Sequence, residues 1–128
     1  MKNIFEKFDC GKLETADSVK KFVEVEWSKH PTFDGVELKH IVTSADTTGL
    51  FSYHLVRIAP KMKIGNHIHK TQLETHEVIG GDGICFNNGR MINYEVGTVS
   101  IIDPEIPHEV TAGENGLLLF AKFIPPLC

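Results

Sequence analysis

The sequence lacks long basic runs, long apolar runs and an N-terminal targeting pattern. No more than two basic residues are adjacent and the formal net charge is −4, which argues against nucleic acid as a partner. The longest apolar runs, such as residues 116–120, are far shorter than the ~20 residues that cross a bilayer, so we expect no membrane partner. The N-terminal residues carry acids and lack the apolar centre of a signal peptide, so we predict a cytoplasmic protein.

Cysteine is scarce, and its three positions do not suggest pairing. Cys10, Cys85 and Cys128 are an odd number at unrelated spacings without a CxxC motif, which favours reduced thiols over a disulfide framework. Repeats and low-complexity tracts are also absent. A chain of 128 residues with 41% hydrophobic and 23% charged residues is typical of one soluble domain, so we expect a single domain over residues 1–128.

Alternating apolar and polar residues predict strands from residue 22 onward. The first predicted strand, residues 22–27, places Val23, Val25 and Trp27 on one side. The next two strands each place a longer set on one face: Val36, Leu38, His40 and Val42 in the first, and Leu50, Ser52, His54, Val56 and Ile58 in the second. Residues 1 to about 20 predict an irregular arm, with a short helix near residues 16–22.

Turn residues divide the second half of the chain into short segments. Asn88-Gly89 is the strongest hairpin signal, because both residues tolerate positive φ. The glycine-rich residues 80–83 predict a sharp reversal, and further strands at 97–102 and 116–124 are separated by turn segments at 103–107 and 111–116. Seven or more short strands with turns every 8 to 12 residues predict an all-β sandwich or barrel.

Between Gly65 and Gly83 the chain crowds three histidines and two glutamates: His67, His69, Glu74, His76 and Glu77. Residues two apart on a strand project from the same face, so His67 and His69 are expected to point together. Glu74 can return to that face after a turn or bulge, with His76 beside it, whereas Glu77 is expected to point out. His108 follows a proline-stiffened turn. Imidazoles converging with a carboxylate are what a divalent first-row metal selects.

Two stretches resemble the motifs of the cupin superfamily. His67, His69, Glu74 and Gly81 match H-x-H-x4-E-x6-G, and the residues from Gly97 to the Pro107-His108 pair are similar to the second motif. Three positions depart from the motifs, at loops or strand starts rather than at ligands: Lys61, Asp103 and Ala112.

The resemblance covers residues 36–124, after an N-terminal arm and strand at 1–35. It implies a double-stranded β-helix, or jelly-roll barrel, that holds one metal ion through His67, His69, Glu74 and His108. Three nitrogens and one carboxylate suit Fe, Mn, Co, Ni, Cu or Zn, and the sequence does not distinguish them.

Further histidines are expected near the metal. His76 is the candidate catalytic residue for proton transfer, because it lies one strand step beyond Glu74; its alternative role is to orient that carboxylate. His40 and His54 share the inward faces, but whether they line the cavity is left open. The other inward residues are apolar, so we expect a small organic substrate.

Two classes of function remain open. The first is a metal-dependent enzyme with dioxygenase-type or isomerase/lyase-type chemistry, and the second is a non-catalytic module that binds a metal or a small ligand. We favour an enzyme, because a sensor normally has a second domain that transmits its signal.

An exposed strand edge tends to pair with another chain unless it is covered. The alternating residues 22–27 are such an edge, so we predict a homodimer with Trp27 near the interface. Light scattering should give twice the mass of one chain, and a monomer would contradict the prediction.

Overall fold

The computed structural model describes residues 3–128, so the first two residues of the predicted arm lie outside it. Its helices are short: α1 (Ile4–Asp9), a 3₁₀ helix (Phe22–Glu24) and α2 (Ser44–Thr47). The strands are β1 (Lys12–Glu14), β2 (Val19–Lys21), β3 (Ser28–Lys29), β4 (Val36–Val42), β5 (Ser52–Ile58), β6 (Lys63–His67), β7 (Leu73–Asn87), β8 (Arg90–Glu95), β9 (Val99–Ile102) and β10 (His108–Ile124). None of the helices among these residues is long and apolar enough to span a bilayer.

An eight-stranded antiparallel sheet forms the jelly-roll barrel, and β7 and β10 are its long central strands. They pair from Asn87 opposite His108 to Leu73 opposite Ile124. On its other side β10 pairs first with β6 and later with β5, while β7 pairs first with β9 and later with β8. The two ends of β7 and of β10 therefore pair with different strands. Because β7 and β10 also pair with each other, they connect the strands on both sides of the barrel.

The glycine-rich residues 80–83 lie within β7, so the predicted reversal there is wrong. Gly81 has φ +70°, and a Cβ atom on it would lie 2.0 Å from the carbonyl oxygen of Gly116. The glycines thus let β7 approach its partner β10 closely where the register shifts, and the chain does not turn back there. The predicted turn at residues 111–116 likewise lies within β10, where the register with β7 shifts between Ala112 and Leu117.

Two apolar clusters lie on opposite faces of β4 and β5. One fills the barrel and includes Val36, Val56, Ile58, Val78, Leu117, Leu119 and Phe123. The other lies beneath the N-terminal arm and consists of Phe5, Phe22, Ile41, Val42, Leu55 and Phe120. The alternation of side chains along each strand divides them between the two clusters.

The strands predicted at β4 and β5 and the hairpin between β7 and β8 are confirmed. Asn88 and Gly89 both have positive φ, as that hairpin requires. Val42, however, packs under the arm instead of sharing the face of Val36, because the register shifts between His40 and Val42. Leu50 precedes β5 and is exposed.

The strand predicted over residues 22–27 is wrong. Residues 22–24 form the 3₁₀ helix, in which Phe22 is buried and Val23 is 67% exposed. Phe22 is the buried side chain of this segment, and Val25 and Trp27 are half-buried beyond the helix without forming a strand. The helix predicted near residues 16–22 is also wrong: Val19–Lys21 forms strand β2, and the N-terminal helix lies at Ile4–Asp9.

An ion pair attaches α1 to the barrel. Lys39 is only 4% exposed, and its Nζ lies 2.6 Å from Asp9 Oδ1 and 2.8 Å from the Asp9 carbonyl oxygen. Trp27 donates its indole N–H to the same carboxylate at 3.1 Å, and its ring packs against Arg57 at 3.9 Å. Asp9 therefore attaches the arm to the barrel and also neutralises the Lys39 ammonium, which would otherwise be a buried charge without a counter-charge.

Replacement of Asp9 by alanine should therefore destabilise the fold by about 2–3 kcal/mol, since the buried Lys39 ammonium keeps the backbone carbonyl of residue 9 as a hydrogen-bond partner but loses its counter-charge. The matched control is Glu14→Ala, which removes the partner of Lys12 from an exposed ion pair at 3.8 Å and should change stability by less than about 0.5 kcal/mol. Urea unfolding of both variants measures the difference. Equal losses would contradict the role assigned to the buried pair.

Candidate metal centre

The four side chains named as metal ligands lie together inside the barrel. One ligand atom from each of His67, His69, Glu74 and His108 lies within 4.8 Å of the others. His67 ends β6 and pairs in register with His108 at the start of β10, and their ring centroids are 4.2 Å apart. His69 lies in the loop after β6, and Glu74 lies near the start of β7.

Backbone carbonyl groups orient two of the imidazoles in the same way. His67 Nδ1 lies 2.8 Å from the Gly65 carbonyl oxygen, and His108 Nδ1 lies 2.9 Å from that of Ile106. In both cases the acceptor is the carbonyl two residues earlier in the chain. Because a neutral imidazole that donates from Nδ1 carries its lone pair on Nε2, these contacts turn Nε2 into a potential metal ligand.

The centre of the cluster contains buried polar atoms without hydrogen-bond partners. Glu74 Oε1 and His108 Nε2 are fully buried and unpaired, although they lie 3.2 Å apart in a poorly aligned contact. His69 Nε2 is 3.3 Å from the same oxygen and 3.2 Å from His67 Nε2. Unpaired buried polar atoms are rare in proteins, and a cation among these four groups would satisfy them. The donor set therefore fits a divalent transition-metal ion.

The surroundings shift the pKa values of the ligand-type side chains in different directions. Burial alone would raise the pKa of Glu74, but the adjacent His76, His108 and His69 outweigh it and hold that pKa well below its usual value. Burial lowers the pKa of His67, whereas at His108 the effect of burial is outweighed by the contact with Glu74, which raises the pKa. Glu74 and His67 are thus held in forms that bind a metal without first losing a proton, and a metal at His108 would compete with a proton that Glu74 stabilises.

Tyr94 and His76 form a hydrogen-bonded chain that ends on one oxygen of the Glu74 carboxylate. His76 Nε2 lies 2.5 Å from Glu74 Oε2, and Tyr94 Oη lies 2.8 Å from His76 Nδ1. With the imidazole neutral, His76 donates to Glu74 and accepts from the tyrosine hydroxyl. Both side chains are buried, at 2% and 1% exposed. Sequence reasoning assigned Tyr94 no role at the metal, because the contact depends on the pairing of β7 with β8 rather than on a motif.

Glu77 takes no part in the cluster. Its carboxylate pairs with Lys122 Nζ at 2.6 Å, in a partly buried contact between β7 and β10. Its neighbours Glu74 and His76 differ from it by odd steps along β7, so the strand places it on the other face.

The cluster opens into a cavity of about 710 Å³ with mostly apolar walls, which include Val56, Ile64, Leu119 and Phe123. Residues 28–33 cover part of it, and the Phe33 ring lies 5.9 Å from that of His67. His40 lines this cavity, whereas His54 is fully buried and contacts His40 through their Nδ1 atoms at 2.7 Å. The space suits a small organic molecule better than a polymer.

Comparison with known proteins identifies the fold through structure rather than sequence. No protein-family model matches the chain, and a search of curated proteins finds no relative. A predicted oxalate decarboxylase from Thermotoga maritima is 20% identical, with a TM-score of 0.73 over 80% of this chain and 95% of the other.

Two more solved structures show the same likeness. An RmlC-like cupin from Shewanella frigidimarina is 13% identical, with a TM-score of 0.72 over 89% of this chain and 93% of the other. The nucleoside dehydratase Pac13 from Streptomyces is 11% identical, with a TM-score of 0.68 over 83% of this chain and 80% of the other. Together with the barrel and the convergence of its histidines, these matches show that the chain has the fold of the cupin superfamily.

Proposed function

We propose that the protein is a metal-dependent enzyme that acts on a small organic molecule by lyase-type or isomerase-type chemistry. The observation that carries the proposal is the group of three histidines and one glutamate whose unpaired buried atoms face an apolar cavity. Decarboxylases and dehydratases both cleave bonds without an external oxidant. The presence of such names among the similar structures favours this chemistry over the dioxygenase alternative.

His67, His69, Glu74 and His108 would hold one divalent ion, drawn from Fe, Mn, Co, Ni, Cu and Zn. A metal bound there supplies Lewis acidity toward a substrate oxygen. The apolar walls of the cavity limit competing water, which strengthens electrostatic interactions within it.

His76 is proposed to act through Glu74. Sequence reasoning named His76 as the catalytic residue, and that prediction remains untested. Both of its ring nitrogens have partners and its side chain is 2% exposed, which supports a positioning role: it fixes the carboxylate orientation. His30 and His40 are the other histidines outside the ligand set that line the cavity, and burial lowers the pKa of both.

Removal of a ligand tests the metal site. We expect Glu74→Ala and His108→Ala each to reduce bound metal by about one equivalent relative to the wild type, because the remaining ligands are too few for tight binding. Glu77→Ala, the control on the same strand, should bind as much metal as the wild type. Elemental analysis after dialysis measures the content, and circular dichroism verifies folding. Equal losses in all three variants would contradict the ligand assignment.

Turnover tests the class of reaction. The protein, loaded in turn with each of the six metals, would be incubated with small hydroxy and oxo carboxylates, diketones, catechols and sugars. We expect release of carbon dioxide or water, or an isomerised product, without oxygen uptake, and we expect His108→Ala to abolish it. Oxygen consumption would instead indicate a dioxygenase, and no conversion of any compound would indicate a binding module. Either outcome would contradict the proposal.

A further inference from the structure

A second group of ligand-type side chains lies beside the same cavity. One ligand atom from each of His40, His54 and Cys128 lies within 4.8 Å of the others. His40 on β4 and His54 on β5 are direct partners in the antiparallel register, so both histidines project from the same face of the sheet. None of the three residues belongs to the group around Glu74.

Burial favours the neutral form of both histidines, which is the form that binds a metal. Burial lowers the pKa of His40, and burial together with the nearby His40 lowers the pKa of His54 to about 3. Their Nδ1 atoms are 2.7 Å apart, a distance that requires one to donate and the other to accept. A cation can take the place of that hydrogen bond. His54 Nε2 then carries the ring proton and donates it to Ser52 Oγ, which lies 2.7 Å away.

The segment that carries Cys128 is held against these strands by its backbone. The Ser44 amide donates to the Cys128 carbonyl oxygen at 2.7 Å, and the Leu127 amide donates to Ser52 Oγ at 2.8 Å. Gln72 donates to the Pro126 carbonyl oxygen at 3.0 Å. Ser52 thus contacts both the histidine pair and the segment with the thiol. Because the cysteine backbone is already in place, little ordering is needed when a ligand binds.

The donor set differs from that of the first group. Two imidazoles and one thiolate are borderline-to-soft ligands, which select Zn²⁺ over harder ions such as Mg²⁺ or Mn²⁺. His40 and Cys128 both line the cavity, so the fourth coordination position would face it. We propose that His40, His54 and Cys128 form a second metal site, specific for a thiophilic divalent ion such as Zn²⁺.

The second site can be removed without disturbing the first. Phe123 lies next to both, with its ring centroid 5.6 Å from that of His54 and 5.2 Å from that of His69. Its apolar ring contacts one histidine from each group, and the groups share no ligand. Cys128 is exposed, so its replacement by serine should leave the barrel folded.

Cobalt substitution provides the spectroscopic test, because a thiolate bound to Co²⁺ gives a near-ultraviolet charge-transfer band whereas nitrogen and oxygen ligands do not. We expect Co²⁺ titration of the wild type to produce this band. Cys128→Ser should abolish it, and Cys10→Ser, the control at another exposed cysteine, should retain it. A band that persists in Cys128→Ser, or no band in the wild type, would overturn the proposal.

Zinc stoichiometry separates the two sites. We expect Cys128→Ser to bind one equivalent of Zn²⁺ fewer than the wild type, and Glu74→Ala to retain the cobalt charge-transfer band although its first site is lost. If the group around Glu74 binds no metal, the wild type should still bind one equivalent of Zn²⁺ more than Cys128→Ser. Identical zinc content in these two proteins would refute the second site and leave the first unaffected.

Discussion

The buried carboxylate of Glu74 is the group on which the arrangement inside the barrel depends. An isolated charge in such a place would cost several kcal/mol, so it must have partners. His76 contacts one oxygen, while His69 and His108 lie at 3.3 and 3.2 Å from the other. Tyr94 orients His76 in turn. The protein therefore provides a hydrogen bond to Glu74 Oε2, whereas Glu74 Oε1 has no hydrogen-bond partner and could bind a cation.

The jelly-roll topology explains why these groups meet. Strand pairing places His67 on β6 beside His108 on β10. Glu74 on β7 is instead paired with Phe123, far along β10 from His108, and its carboxylate lies 3.2 Å from His108 Nε2 because the sheet closes into a barrel. The close approach of β7 and β10 at Gly81 and Gly116 coincides with the register shifts between the two long strands. The convergence of these ligand-type side chains is thus a consequence of barrel closure, and a register change in either long strand would separate them.

The sequence predicted the features that local pattern determines. Strands β4 and β5 and the Asn88-Gly89 hairpin follow from alternation and turn chemistry. His67 and His69 do lie together, but His69 reaches His67 from the loop after β6 and not from a shared strand face. The errors occur where tertiary contacts override that pattern. Residues 22–24 form a 3₁₀ helix in which Phe22 is the buried side chain, and residues 80–83 continue β7 alongside β10 instead of turning. Tyr94 and Cys128 could not be placed, since their positions depend on strand pairing and on a C-terminal segment bound by Ser44 and Ser52.

A crystal structure of the protein grown with a first-row metal, with anomalous diffraction at the edge of that metal, tests the central claim most directly. The account predicts a peak with His67, His69 and His108 nitrogens and a Glu74 oxygen at about 2.0–2.2 Å, and with His76 still hydrogen-bonded to the second carboxylate oxygen. A barrel without a peak at these residues, or a metal that is bound there without Glu74, would contradict it.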